Sequence, residues 1–349
     1  MITLEEIFNR AAISGASDIH LGDSLPVYFR IDGLLLPTEN SPILKSEDIL
    51  SLISPLINEQ QKEKLLKEKN LEFSYQIKNK IRFRISVFWE KNNLALAARL
   101  ISSQIPSLKE MDLLEIVHKI ADLRDGLVLV TGPTGCGKST TLAALIDYIN
   151  EKRSCHIITL EDPTEFIFQS KKSLIAQREL NQDMISFKSA LKHIVRQDPD
   201  IILVSEMRDL ETISLAITLA ETGHLVLATL HTPNVPQTID RIIDIFPFEQ
   251  QKQIRLQVAL ALKCIISQHL IPKKDKGRIA SREVLFNTPA IANLIRENKI
   301  TQIKSVLQTG SKDGMFTLEQ DLKRLYRAGL ITLDVAINHA NFPEELLKE

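Results

Sequence analysis

The chain has 349 residues, 44% of them hydrophobic and 25% charged, which is enough for two ordinary domains with real cores. Its formal net charge of −1 supplies no overall basic field to attract DNA or RNA. No apolar run reaches the roughly 18–20 residues of a membrane span, and the three cysteines, Cys136, Cys155 and Cys264, lie too far apart for a disulfide framework or a zinc knuckle.

The opening MITLEEIFNR is acidic and amphipathic, which excludes a signal peptide and predicts a cytoplasmic protein. Leu4, Ile7, Phe8, Ala11 and Ala12 recur at helical spacing until Gly15 stops the helix. SDIHL and VYFRIDG follow as short strands, then a charged helix over roughly 46–69. In KIRFRISVFWE, Ile81, Phe83, Ile85, Val87 and Trp89 share one face while Arg82 and Arg84 share the other. In LALAARL, Leu94, Leu96, Ala98 and Leu100 face inward, with Arg99 on the opposite side. Alternation with one polar face predicts an antiparallel sheet, so residues 1–100 read as a small α+β domain. ISSQIPSLKEM (101–111), with Pro106 and three serines, opens a linker over 101–123.

From 124 to 270 the pattern is different. The continuous apolar strands GLVLV, HIITL, IILVS and HLVLATL alternate with helical stretches, as in a parallel sheet covered on both faces. LQVALALKCIISQHL (256–270), interrupted by Gln257, Lys263 and Gln268, reads as a core helix running into a strand. Residues 271–349 are expected to be mostly helical. In AIANLIREN, after Thr288 and Pro289, Ile291, Leu294 and Ile295 form the apolar side of a helix from Ala290 to Glu297. TLEQDLKRLYRAG starts with a capping box, Thr317 and Gln320, and stops at Gly329, and a last helix runs from Thr332.

Chemistry gathers at the ends of the core strands. GPTGCGKS, residues 132–139, fits the phosphate-binding loop G-x-x-x-x-G-K-[ST] between an apolar strand and a helix, so a nucleoside triphosphate is expected there. Gly132, Pro133, Thr134, Gly135, Cys136 and Gly137 form the cradle. Lys138 adds a full charge at the β/γ oxygens, and Ser139, next to Thr140, offers a hydroxyl to Mg²⁺. Hydrolysis needs a group that orients water. Glu206 in DPDIILVSEMRD emerges at a strand's carboxyl end, where it can do so. In ITLEDPTEF, Glu161 and Asp162 end another strand and are candidates to hold Mg²⁺ through water or to polarise the nucleophile, whereas Glu165 reads as structural. His224 and His231 bracket the strand HLVLATLHT, and His231 lies at the same sheet edge as Glu206, where it can sense the γ-phosphate.

Taken in order, GASDIHL (15–21), GPTGCGKSTTLAALIDYIN, ITLEDPTEF, RQDPDIILVSEMRDLETI and AETGHLVLATLHT resemble the secretion ATPase superfamily, and within it the PilT-type pilus-retraction ATPases, over nearly the whole chain. The resemblance implies an α/β fold: a RecA-like P-loop ATPase core, an N-terminal PAS-like α+β domain and a helical C-terminal tail. It further implies an ATP- and Mg²⁺-dependent homohexameric motor at the inner face of the inner membrane, acting on a pilus platform protein. By this resemblance Glu206 is the catalytic glutamate and a metal residue with Ser139 and Glu161. Glu161 also belongs to the Asp box, and His224 and His231 to the His box. Arg82, Arg84 and Arg99 are then candidates to reach ATP on an adjoining subunit. The sequence departs from the family at Cys136 (usually serine), Ser205 (usually glycine), Ala292 (usually arginine) and Gln197 (usually glutamate). A secretion or pilus-assembly ATPase of the same superfamily, or a RecA-like nucleic-acid motor, are the competing readings. Against the last, Lys and Arg are spread evenly, with no basic stripe.

Overall fold

The computed structural model describes residues 2–31, 33–38, 41–77, 81–101, 105–275 and 277–346. Asp32 and Lys80, in two of the expected strands, and Ser102, Ser103 and Gln104, in the expected linker, lie outside the described residues. The chain divides into two compact units, one of residues 1–104 and 163–167, the other of 105–162 and 168–349.

In the first unit, α1 (Leu4–Ile13) opens with a capping box between Thr3 and Glu6 and buries Leu4, Ile7, Phe8 and Ala11. Strands β1 (Asp18–Leu21), β2 (Tyr28–Ile31) and β3 (Leu34–Pro37) follow, then α2 (Ser46–Ile53), α3 (Glu59–Glu68), β4 (Asn70–Gln76), β5 (Arg82–Glu90) and β6 (Asn93–Ile101). They form one six-stranded sheet in the order β3-β2-β1-β6-β5-β4, and every pair is antiparallel. The alternation read from β5 holds: Phe83, Ile85 and Val87 are fully buried, and Phe8 stacks on Phe83 with ring centroids 4.1 Å apart. The single helix expected over 46–69 is instead two. Pro55 sits in the intervening turn (Ser54–Leu56), where it has no N–H to continue the ladder, and Asn58 starts α3 afresh with its own capping box. Strand β3, LLLP, is exposed along its whole length, so it carries no alternation to read.

In the second unit, α4 (Leu114–Ala121) leads into β7 (Gly126–Thr131), α5 (Lys138–Lys152), β8 (His156–Glu161), β9 (Leu174–Glu179), α6 (Phe187–Ile194), β10 (Ile201–Val204), α7 (Leu210–Glu221), β11 (Leu225–Leu230), α8 (Val235–Asp244), α9 (Phe248–Ala261), β12 (Leu262–Pro272) and β13 (Arg278–Phe286). The seven strands lie in the order β13-β12-β7-β11-β10-β8-β9. All are parallel except β13, which pairs antiparallel with β12. Every residue of β7, β10 and β11 is buried, as expected of strands covered on both faces. The segment 256–270 does pass from helix into strand, at Ala261 and Leu262.

The remainder is α10 (Pro289–Arg296), α11 (Ile303–Thr309), α12 (Leu318–Arg327), α13 (Leu333–His339) and α14 (Pro343–Leu346). A mostly helical tail was expected, and β13 is the exception: its polar buried residues, Ser281, Arg282 and Glu283, break the apolar pattern of a core strand. In α10, Thr288 caps the start, and Ile291, Ala292 and Ile295 are buried, with Leu294 partly buried against the same core. The capping box of Thr317 and Gln320 opens α12. The helix capped by Thr332 ends at His339, so it is followed by the short α14 and is not the last.

Candidate functional site

Because β7, β8, β10 and β11 run parallel, their carboxyl ends lie at one edge of the sheet, where α/β folds bind ligands. The loop of residues 132–137 leaves β7 at that edge. Gly132 has φ +136°, and a Cβ there would lie 2.2 Å from the main-chain oxygen of Gln268, so only glycine fits. Gly137 is the N-cap of α5 with φ +88° and makes no side-chain cap bond, which leaves the first-turn N–H groups for a ligand. This cradle suits a chain of phosphates.

Lys138 is buried, and its Nζ donates to the carbonyls of Gly132 at 2.8 Å and Pro133 at 3.0 Å. Its ammonium is thereby held at the mouth of the loop. Cys136 is buried within the loop, and burial pushes its thiol pKa up, so it serves as a small filler with little thiolate. Ser139 and Thr140 are half-buried on the first turn of α5.

Glu206 follows β10 and is 22% exposed. Arg208 Nη2 donates to its Oε2 at 2.8 Å, and His231 Nε2 lies 3.3 Å from its Oε1. Burial alone would raise its pKa; the hydrogen bond and positive charge of Arg208, with the hydrogen bond from His231, outweigh it and hold the carboxyl below the usual range. The ring of His231 reaches the phosphate loop on its other side: Nδ1 is 3.4 Å from both Thr134 Oγ1 and Lys138 Nζ. An ammonium only donates, so Nδ1 accepts and Nε2 carries the proton toward Glu206. His231 therefore connects the phosphate loop to the carboxylate in a single tautomer. A cavity of about 610 Å³ opens beside them, bordered by Glu206, Arg208, His231, Gln237 and Asp240.

A chain of buried hydroxyls fixes the His231 loop from behind. Thr232 Oγ1 lies 2.7 Å from Thr238 Oγ1, and that hydroxyl lies 3.4 Å from Thr131, the last residue of β7. Glu161 is buried at the end of β8, where Thr159 and Gln177 donate to its Oε1 at 2.7 and 2.9 Å. In strand order β8 stands three places from β7, roughly 14 Å at the usual interstrand spacing, so Glu161 lies beyond Glu206 as seen from the loop. The Arg208 charge is favoured chiefly by its hydrogen bond to Glu206 and by the Glu206 charge, with Asp162 adding a smaller attraction.

The other expected site residues lie elsewhere. His224 precedes β11, at the opposite edge of the sheet from the phosphate loop, and its Nδ1 lies 3.0 Å from the Leu219 carbonyl at the end of α7. The six residues of β11 separate it from that edge, about 20 Å of strand, so within this chain it is not brought to the site. Arg82, Arg84 and Arg99 belong to the first unit. Arg84 and Arg99 are direct cross-strand neighbours on its polar face. Arg84 pairs with Glu72 at 3.0 Å, and Arg99, 72% exposed, pairs with Asp18 at 2.8 Å.

With this geometry in place, the similarities to known proteins are informative. The model of the family described as "Type II/IV secretion system protein" matches residues 1–312. The chain belongs to that family. It is 44% identical to the type IV pilus retractation ATPase PilT of Pseudomonas aeruginosa over 341 residues, 98% of this chain and 99% of the relative. It is 48% identical to a twitching motility protein of Neisseria gonorrhoeae over 308 residues, 88% of this chain and 82% of the relative. The crystal structure of the pilus retraction motor PilT with bound ADP superposes with a TM-score of 0.94 at 43% identity, covering 100% of both chains. The full-length α/β fold is thus that of the PilT-type ATPases.

Two residues of the site escaped the sequence reading. Arg208 follows Glu206 by two positions, and that spacing on an extended segment is the signal that places both side chains on one side. Gln268 is fully buried beneath the phosphate loop. An amide inside the apolar run CIISQHLI was its visible sign.

Proposed function

We propose that this chain is the subunit of an ATP-hydrolysing motor that retracts a type IV pilus. The observation that carries the hydrolytic part is the placement of His231 between Lys138 and Glu206. Full-length similarity to PilT supports retraction. In this reading the loop amides and Lys138 bind the β- and γ-phosphates. Glu206, kept ionised by Arg208, orients and deprotonates the attacking water. His231 feels the γ-phosphate through Thr134 and Lys138 and passes its presence or loss to Glu206. A bound Mg²⁺ ion would supply neutralisation of the phosphate charge. Among the described residues no group of three or more His, Cys, Asp or Glu side chains forms a metal site. The Ser139 hydroxyl, and Glu206 through water, would hold that ion; Glu161, three strands from the loop and engaged by Thr159 and Gln177, lies too far along the sheet edge to join them directly.

The motor is a homohexamer, and Arg82, Arg84 and Arg99 are the donors to ATP on the neighbouring subunit. It works in the cytoplasm against a platform protein of the inner membrane. Among the described residues no helix is long and apolar enough to cross a membrane, which fits a motor that docks there. The test pairs a steady-state ATPase assay of the purified protein, with and without single-stranded DNA, with twitching in host cells that lack their own retraction ATPase. ATP hydrolysis indifferent to DNA, together with restored twitching, is expected. DNA-stimulated hydrolysis, or restored secretion without twitching, would replace this reading with one of its competitors.

A further inference from the structure

We propose that Gln268 is a positioning residue of the nucleotide site, one that aims the phosphate loop by holding it at two points. The inference rests on the ATP-hydrolase reading above and adds a residue that lies in none of the sequence boxes.

A primary amide buried in an apolar strand is costly unless both of its ends are bonded. Gln268 is 1% exposed in β12, and both ends are engaged. Its Nε2 donates to the Cys136 carbonyl at 2.7 Å, and its Oε1 accepts from Thr141 Oγ1 at 2.9 Å. The orientation of the amide is not arbitrary. A carbonyl only accepts, so the NH₂ must face Cys136, while the Thr141 hydroxyl is free to donate.

The two anchors flank Lys138 and Ser139, so the clamp spans the turn from loop to helix. Its consequence follows from the planar trans peptide: the Cys136 C=O and the Gly137 N–H point in opposite directions. Drawing the carbonyl inward to Gln268 therefore aims the Gly137 N–H outward, to the mouth of the loop where phosphates bind. The main chain of Gln268 also lies under the start of the loop, as the close approach at Gly132 shows. Its neighbours on the other face of β12 act on the second catalytic loop. Ser267 Oγ donates to the Pro233 carbonyl at 3.0 Å, and His269 Nε2 lies 3.0 Å from the same oxygen. A single strand thus sets the phosphate loop with one side chain and the segment after His231 with two.

Two variants test this. Gln268→Leu removes both bonds. Gln268→Glu keeps an acceptor for Thr141 but can donate to Cys136 only when protonated. The readouts are KM and kcat for ATP between pH 6 and 8, and the melting temperature with and without ADP. Gln268→Leu should raise KM about tenfold, the equivalent of one lost hydrogen bond, with kcat within about threefold and the ADP-induced rise in melting temperature largely lost. Gln268→Glu should show a larger KM penalty at pH 8 than at pH 6, because the neutral acid restores the donor. Should Gln268→Leu fail to fold, Thr141→Val removes the second anchor alone and should raise KM about threefold. KM values within twofold of the parent, or a KM ratio for Gln268→Glu that is flat across pH, would overturn the proposal. A parent that neither hydrolyses ATP nor is stabilised by ADP would instead overturn the hydrolase reading; an active parent matched by all the variants overturns only the role of Gln268.

Discussion

Replacing Glu283 by glutamine should stabilise the protein at alkaline pH and leave it unchanged in acid. Glu283 lies in β13 and is 8% exposed, and its Oε2 accepts from the Val235 N–H at 2.8 Å. It therefore pins the first residue of α8, just after the loop that carries His231. Burial raises its pKa, the Val235 bond lowers it, the charge of Glu319 raises it and that of Lys304 lowers it, leaving it at about 7 against an ordinary 4.5. Below about pH 4.5 the carboxyl is protonated in both the folded and the unfolded chain, so it makes no difference to stability. As pH rises toward 7 the unfolded chain releases the proton first, and the folded state becomes progressively less favourable. Above pH 7 the cost is complete, and the difference of about 2.5 in pKa corresponds to about 3 kcal/mol. Glutamine keeps an acceptor for Val235 and removes the charge. The Glu283→Gln variant should thus melt about 5 °C or more above the parent at pH 8 and within a degree or so of it at pH 4.5. Scanning calorimetry of both proteins at the two pH values decides the matter. An equal difference at both, or a less stable variant at pH 8, would refute the reasoning.

Three further outcomes are expected. Lys138→Ala should abolish ATP and ADP binding measured by calorimetry, because its ammonium is the full charge at the phosphate loop; binding within a few-fold of the parent would remove it from that role. Mixing Glu206→Gln subunits, whose arginines are intact, with subunits lacking Arg82, Arg84 and Arg99 should restore hydrolysis, since an arginine given by a neighbour contributes ~10³–10⁵ in rate in other nucleotide hydrolases. No recovery in proven mixed assemblies would count against donation across subunits. Arg296→Ala, on the exposed side of α10, should leave ATP hydrolysis intact and stop twitching in cells, and normal twitching would make α10 an ordinary surface helix.

What the sequence made legible follows physical constraint. The phosphate loop was readable because its backbone requires glycine at Gly132, where a Cβ would meet the chain. Glu206 and His231 were readable because fully buried parallel strands are near-continuous apolar runs, and the first ionisable residues past them mark the sheet edge. Lys138 and His231 lie 93 positions apart, and their meeting depends on β7 and β11 being neighbours, an order of strands that apolar runs alone do not encode. The same limit hid the partners of Glu161, Thr159 and Gln177, since Gln177 comes from the edge strand β9, which is half-exposed and without clear alternation. His224 looked equivalent to His231 in sequence because each borders the same strand. Only the direction of β11 separates them, sending one to the phosphate loop and the other to the end of α7.

The most direct test of the account is the turnover of Glu206→Gln beside that of Glu161→Gln. Glu206 is the carboxylate joined to the phosphate loop through His231, whereas Glu161 is buried on Thr159 and Gln177. Glu206→Gln should bind ATP within a few-fold of the parent and hydrolyse it at least ~100-fold more slowly, the loss expected for a base or water-orienting group. Retention of most of the turnover by Glu206→Gln, with its abolition by Glu161→Gln, would contradict the assignment.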